Sequence, residues 1–439
     1  MGDYMFMLES HLSADQFRAV GEIRDLAGES GLSVFLTGGA MRDMLGGFPV
    51  RDLDFTVEGS ALKLAKAAEK KLGAKIVSTN ETYKSCELLF AGNVSVELAM
   101  ARQERYTKSG GRPQISAATI HEDLRCRDFT VNAIALSLNK ASLGLMIDPT
   151  NGAGDIERKE IRATHNYSFY DEPVRMLRVL RFKARLSYAV DERTKAHFEN
   201  AREAGMLSRI TAEALGTELR HLAAEPNTAD VIQALADEKL LELYSPALTG
   251  TKLNIPEMQK LQKARQMVPG GIVFRLNALP LLLSVLLDKL NPKERTAFIK
   301  TAELSKAELN AWQKLDGVAK KLERELKGAK LQKPSQLYQV LVNAPGEAIL
   351  YLLVNSEQRL VLDRIKNYFQ KYLPSTLEVT DEIVLATGVA PGTSKFQKAK
   401  EQLILKRLDA RPKKPPPLPE PPPPPTSNFA RGPSVRHAR

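Results

Sequence analysis

Asp52 and Asp54 stand two residues apart in the stretch LTGGAMRDMLGGFPVRDLDFTV, which runs from Leu36 to Val57. In a strand they project from one face, while Leu53, Phe55 and Val57 turn to the other and into a core. Two neighbouring carboxylates repel each other and are costly unless a positive charge lies between them. A divalent cation with hard oxygen ligands, Mg²⁺, meets that need. Upstream, Val34–Thr37 reads as a buried strand that breaks at Gly38-Gly39, and Ala40–Leu45 reads as a helix carrying Arg42. A glycine turn entering a helix leaves free backbone N–H groups suited to phosphate. A lone DxD is usually a solvated edge and a lone Gly-Gly a turn. Together they point to phosphoryl or nucleotidyl transfer.

These residues need a sheet to align them and helices to back it. Residues 13–28 read as a helix with Ser13 and Gln16 as a capping box, and Ser60–Leu72 as a second helix ended by Gly73. Lys75–Ser78, Tyr83–Phe90 and Val94–Met100 read as strands. The last alternates, with Val94, Val96 and Leu98 on one face and Ser95, Glu97 and Ala99 on the other, so Glu97 can share a face with Asp52 and Asp54. Arg102–Thr119, polar and containing Gly110-Gly111 and Pro113, reads as a mobile loop. Met146–Ala163 reads as strand, Gly-rich turn, short helix and strand, with Asp148 and Asp155 as turn and N-cap acids. Asp171–Leu186 reads as one amphipathic helix capped by Asp171, with Glu172 and Pro173 in its first turn. Arg175, Arg178, Arg181 and Arg185 lie opposite its apolar stripe. Taken alone, that is a solvated basic face.

The order strand, Gly-Gly, helix, Arg-Asp, DxD resembles the signature of the nucleotidyltransferase superfamily, in the form used by class II tRNA nucleotidyltransferases (CCA-adding enzymes) and bacterial poly(A) polymerases. RDFTVNA (Arg127–Ala133) is similar to that family's RRDFTINA motif, with Cys126 in place of its first Arg. The resemblance implies that Asp52 and Asp54 hold Mg²⁺ with Glu97 beside them, and that Gly38, Gly39 and Arg42 cradle a triphosphate. It also implies ribose and phosphate contacts from Arg127, Asp128 and Asn132. Asp171-Glu172-Pro173-Val174-Arg175 resembles the EDxxR motif, whose Asp and Arg read the Watson–Crick edge of the incoming base and accept C and A. Here the templating position is held by Glu172, one methylene longer. Asp171 is the other candidate, Arg175 is matched, and Arg178 is counted with them as nucleotide-binding. Arg102, Glu104 and Tyr106 resemble the start of the flexible loop needed to add the final adenosine. Ser208–Arg220 weakly resembles the helix-stabilising motif that closes the neck.

The composition, with 43% hydrophobic and 26% charged residues, is that of a globular protein. The longest apolar run, Leu279–Leu287, contains Pro280 and Ser284 and is too short to span a bilayer. The N-terminal residues lack a basic cluster, so a secretory signal is not expected and a cytoplasmic location is. Cys86 and Cys126 are too few for a disulfide framework or a cysteine zinc site. The net charge of +11 suits a polyanion but does not name it. Six Lys/Arg against one Glu after residue 410 place +5 of that charge in a Pro-rich tract expected to be extended or disordered.

The expected architecture is α+β. A nucleotidyltransferase-type head with a small mixed β-sheet spans 1–150, a helical neck 151–225, a helical body and tail 226–408, and the Pro-rich tail 409–439. The expected activity is template-independent addition of C and A from CTP and ATP to the 3′ end of tRNA, without a membrane partner. A poly(A) polymerase extending other RNA 3′ ends, an A-adding enzyme, or a catalytically silent RNA-binding protein are the alternatives.

Overall fold

The computed structural model describes residues 4–410 apart from 271, 273, 391 and 392, so most of the Pro-rich tail lies outside the described residues. Its strands are β1 (Ser33–Thr37), β2 (Leu53–Glu58), β3 (Lys75–Asn80), β4 (Ser85–Leu89), β5 (Ser95–Met100), β6 (Arg102–Arg105), β7 (Gln114–Ala117), β8 (Ala135–Ser137) and β9 (Met146–Ile147). Seven of them form one sheet in the order β3-β4-β5-β2-β1-β8-β9. Only β2 and β5 pair in parallel within it, so the sheet is mixed, as the sequence implied.

Alternation sets its two faces. Leu53, Phe55, Val57, Val96 and Leu98 are at most 1% exposed and pack under helices. Each such side chain contributes roughly 1.5–3 kcal/mol by leaving water. The helix Ala14–Glu29 starts at the Ser13–Gln16 capping box, and Ala61–Leu72 starts at Ser60 and stops at left-handed Gly73. The opposite face keeps the polar residues. A helix that the sequence reading did not anticipate, Tyr4–His11, buries Leu8 against the same core.

Two expected elements take another form. Arg102–Thr119 is not a loop: β6 and β7 pair antiparallel as a hairpin, Arg102 opposite Ala117 and Arg105 opposite Gln114. Its tip is fastened by the Gly110 N–H donating to the Asp171 carbonyl, at 3.3 Å. Nor is Asp171–Leu186 one helix. Ser168–Asp171 is a single turn, Glu172 is extended at φ −131° and ψ 84°, and the helix proper is Arg175–Leu186. The reason is Pro173, whose ring pushes the preceding residue out of the helical region. Asp171 therefore caps nothing, and Glu172 sits in a break rather than in a first turn.

The rest of the described chain is helical apart from a two-stranded pairing of Glu160–Ile161 with Ala189–Val190. The apolar run near residue 280 is the core helix Ala278–Leu286. One buried cluster runs from Leu8 through the sheet to Leu408. Among the described residues no single helix is long and apolar enough to cross a membrane.

Candidate functional site

Strand register builds the acidic floor. Thr37 pairs with Asp54 across β1 and β2, Asp54 with Glu97 across β2 and β5, and Glu97 with Glu87 across β5 and β4. Asp54 is half-buried, and its carboxyl is pushed up to about 7. Burial is the main cause, and repulsion from Glu97 and Asp52 adds to it against the pull of Arg127 and Arg42. Asp52 lies just before β2 rather than within it, and is exposed. A donor set of hard carboxylate oxygens with more negative charge than its arginines offset fits a Mg²⁺ ion. Among the described residues no three His, Cys, Asp or Glu side chains converge on one point. The remaining oxygens of such an ion would come from bound phosphate and water, the usual pattern for Mg²⁺.

Above the floor, Gly38 turns the chain at φ 64° from β1 into the helix Gly39–Leu45. A Cβ there would stand 3.0 Å from the Arg127 guanidinium, so glycine allows the close approach. Arg127 follows the helix Ile120–Cys126 and donates to Asp123 Oδ2 at 2.9 Å and Thr56 Oγ1 at 2.9 Å. Arg42 is buried, donating to Asp43 Oδ1 at 2.8 Å and Asn132 Oδ1 at 2.7 Å. Its guanidinium lies 5.1 Å above the Phe182 ring, and that of Arg181 lies 4.7 Å from the same ring.

The helix Arg175–Leu186, an arginine helix, closes the opposite wall. Glu172 accepts from Arg175 Nε at 2.8 Å and from Arg178 at 3.1 Å. Arg178 also meets Asp128 at 3.2 Å, and Asn132 donates to the other oxygen of Asp128 at 2.9 Å. Arg175 donates in addition to Ser168 Oγ at 2.8 Å and the Cys126 carbonyl at 3.1 Å. Burial pushes Glu172 and Asp128 up, but the Arg178 and Arg175 guanidiniums override it and hold both below the usual carboxylate range. The basic face is thus not solvated. It is enclosed and neutralised, the condition under which buried charges persist.

All thirteen residues singled out from the sequence, Gly38, Gly39, Arg42, Asp52, Asp54, Glu97, Arg127, Asp128, Asn132, Asp171, Glu172, Arg175 and Arg178, line one cleft of about 860 Å³. Glu172 and Asp171 are not equivalent in it. Glu172 holds both arginines, whereas the Asp171 carboxylate is 3.9 Å from His165. Sequence reasoning placed Tyr106 only in a loop and missed Tyr83, Phe182 and Glu218; all four line the same cleft. Tyr106 donates to Glu104 at 2.8 Å, and Arg102 lies over the Tyr83 ring at 5.1 Å. Glu218 belongs to the helix Ala212–Ala224, a glutamate helix, and takes Arg181 Nε at 2.6 Å. The Arg181 spacing was a usable signal; the acids that meet it lie 37 and 44 positions away.

Asp148 plays the capping part read for it, whereas Asp155 is not a cap: it lies inside the helix Gly152–Arg158, whose N-cap is Asn151. Asp148 accepts from the Gly152 and Ala153 N–H groups at 2.7 and 2.9 Å, and Asp155 from Thr130 at 2.6 Å.

Paired carboxylates on a mixed sheet, a glycine turn beside them and an arginine-lined wall define a nucleotidyltransferase head. Residues 34–162 match the poly A polymerase head domain. The A-adding tRNA nucleotidyltransferase of Aquifex aeolicus is 30% identical over 344 residues, 77% of this chain and 40% of that protein. That of Halalkalibacterium halodurans is 33% identical over 260 residues, 57% of this chain and 60% of the other. The chain thus matches 40% and 60% of the length of these relatives. A solved CCA-adding enzyme, in its apo form II, superposes with a TM-score of 0.55 at 26% identity, covering 94% of this chain and 96% of that one. Residues 34–162 are thus a head domain of the poly A polymerase type, and the chain is similar to tRNA nucleotidyltransferases over part of their length.

Proposed function

We propose that this protein adds C and A nucleotides from CTP and ATP to the 3′ end of tRNA. The observation that carries this is the meeting, in one cleft, of the Asp54–Glu97 floor with the Glu172–Arg175–Arg178 wall. Asp52 and Asp54 would hold Mg²⁺, which would supply a lowered pKa at the terminal hydroxyl and an offset to charge on the pyrophosphate. The RNA 3′-oxygen attacks the α-phosphate, and the bond to pyrophosphate breaks. Arg42 and Arg127 grip the triphosphate, their planar forks suiting phosphate oxygens. Asp128 and Asn132 fix the ribose. Glu172 retains free lone pairs to accept from the exocyclic amine of C or A, and Arg175 keeps that carboxylate ionised and aimed. G and U present a carbonyl at the corresponding position and leave the carboxylate without a donor. The head, neck and body boundaries near 150, 225 and 408 are part of the same reading.

A second reading, addition of the terminal A alone, is favoured by the A-adding names of the two relatives above. Both readings assign the same roles to the cleft residues. The test is incorporation of labelled CTP and ATP into tRNA lacking its 3′ nucleotides. Incorporation that disappears in Asp54→Asn, with the fold intact, supports the reading. Incorporation that survives overturns the metal site.

A further inference from the structure

Glu225 is a buried acid in a place that gives it no local reason to be there. It follows the last turn of the glutamate helix and precedes Pro226, with its N–H on the Leu222 carbonyl at 3.2 Å. A carboxylate at a helix C-terminus faces the negative end of the dipole. The helix end is already served by Arg265, which donates to the Ala223 and Ala224 carbonyls at 2.6 and 2.8 Å. Yet Glu225 is only 2% exposed. A buried ion persists only when its partners hold it.

Those partners come from two directions. Oε1 accepts from Arg181 of the arginine helix at 2.9 Å. Oε2 is buried without a hydrogen bond, and Arg51 and Arg185 stand 3.8 Å from it. Arg51 immediately precedes Asp52, and the carbonyls of Val50 and Arg51 are held by Gln16 at 3.2 and 3.5 Å. Arg185 reaches Asp43 at 2.8 Å, the same carboxylate that holds Arg42. Glu225 does not line the cleft. It touches the residues behind the acidic floor, behind the phosphate grip and on the base-reading helix.

We infer that Glu225 is a positioning residue for the reaction proposed above: acting through Arg51, Arg181 and Arg185, it fixes the loop carrying Asp52 relative to the arginine helix. The inference rests on that functional reading. Without Glu225, three guanidiniums repel one another and the Asp52 loop loses its tie to the wall.

The test uses the full-length protein, with Glu225→Gln and Arg51→Gln made singly and together. Gln at 225 keeps the shape and an acceptor for Arg181 but removes the charge. Gln at 51 changes a side chain that is 41% exposed, so that variant stays folded even where the first does not. Each single variant lowers kcat about tenfold, the usual cost of losing a partner behind a ligand. KM for ATP changes little, and the double variant is no worse than the weaker single. Mn²⁺ affinity, measured by electron paramagnetic resonance without nucleotide, falls in parallel, and Glu225→Asp restores part of both. Additive losses, or an unchanged kcat and Mn²⁺ affinity in Arg51→Gln, overturn the inference. A wild-type protein that adds no nucleotide overturns the function itself instead.

Discussion

Asp54 and Glu97 stand directly opposite each other on the only parallel strand pair of the seven-stranded sheet, β2 against β5. Parallel register puts their carboxylates on one face, and burial with Glu97 and Asp52 nearby pushes Asp54 up to about 7. The pair costs stability when ionised and metal-free, which is what a site waiting for a cation has to accept.

Asp54→Asn therefore loses activity and gains stability. The folded pKa lies above the unfolded one, so the ionised group destabilises the fold as pH rises from about 4 through 7. In chelator at pH 8 the variant should be more stable than wild type by on the order of 1–2 kcal/mol. That difference should shrink as pH falls toward 4. Thermal melting across this range checks it, and a constant or reversed difference contradicts the assigned shift.

Glu172→Gln tests base choice. It removes the charge that Arg175 and Arg178 bind at 2.8 and 3.1 Å. An amide can turn a donor toward the carbonyl of G or U, so discrimination against GTP and UTP should fall by roughly 1–3 kcal/mol of transition-state preference. Competition among the four nucleoside triphosphates reads this directly. Asp171→Asn should leave the ratio unaltered, and a change there but not at Glu172 would reverse the assignment.

Gly110→Ala tests the hairpin. Gly110 has φ +68°, and a Cβ would stand 2.5 Å from the Arg209 carbonyl. The substitution should undock the tip from Asp171 at a local cost of about 1–3 kcal/mol. If the hairpin serves the last step, A addition to CC-ended tRNA falls while C addition holds. Equal loss of both would give the hairpin a structural role only.

Gly152→Ala should damage the head without touching the cleft. Its Cβ would meet the Thr130 carbonyl at 2.0 Å, backbone that has nowhere to go. A loss of about 2 kcal/mol or more is expected, read from denaturant midpoints.

The acidic floor was legible because period-two alternation fixes which side chains share a face, and Val96–Glu97–Leu98 alternates cleanly. The cap at Ser13 and the stop at Gly73 were legible because they are local chemistry. The break at Glu172 was also written locally, in Pro173, but helical periodicity on both sides concealed it. The neutralised arginines were not legible. Arg181 finds Glu218 and Glu225 only after two helices pack, and no spacing rule links positions so far apart. The hairpin was hidden by polar strands, since β6 and β7 have no buried apolar row to reveal them.

The most direct measurement is primer extension by the purified full-length protein in Mg²⁺, on tRNA ending before CCA, ending in CC, and complete, with CTP, ATP or both. Addition of C, C and A in order, stopping at the complete end, is the result the account predicts. One A on the CC-ended tRNA alone would make the protein A-adding with the same site. Long ATP-dependent ladders on unrelated RNA would contradict the tRNA substrate, and no product on any acceptor would contradict the catalytic site.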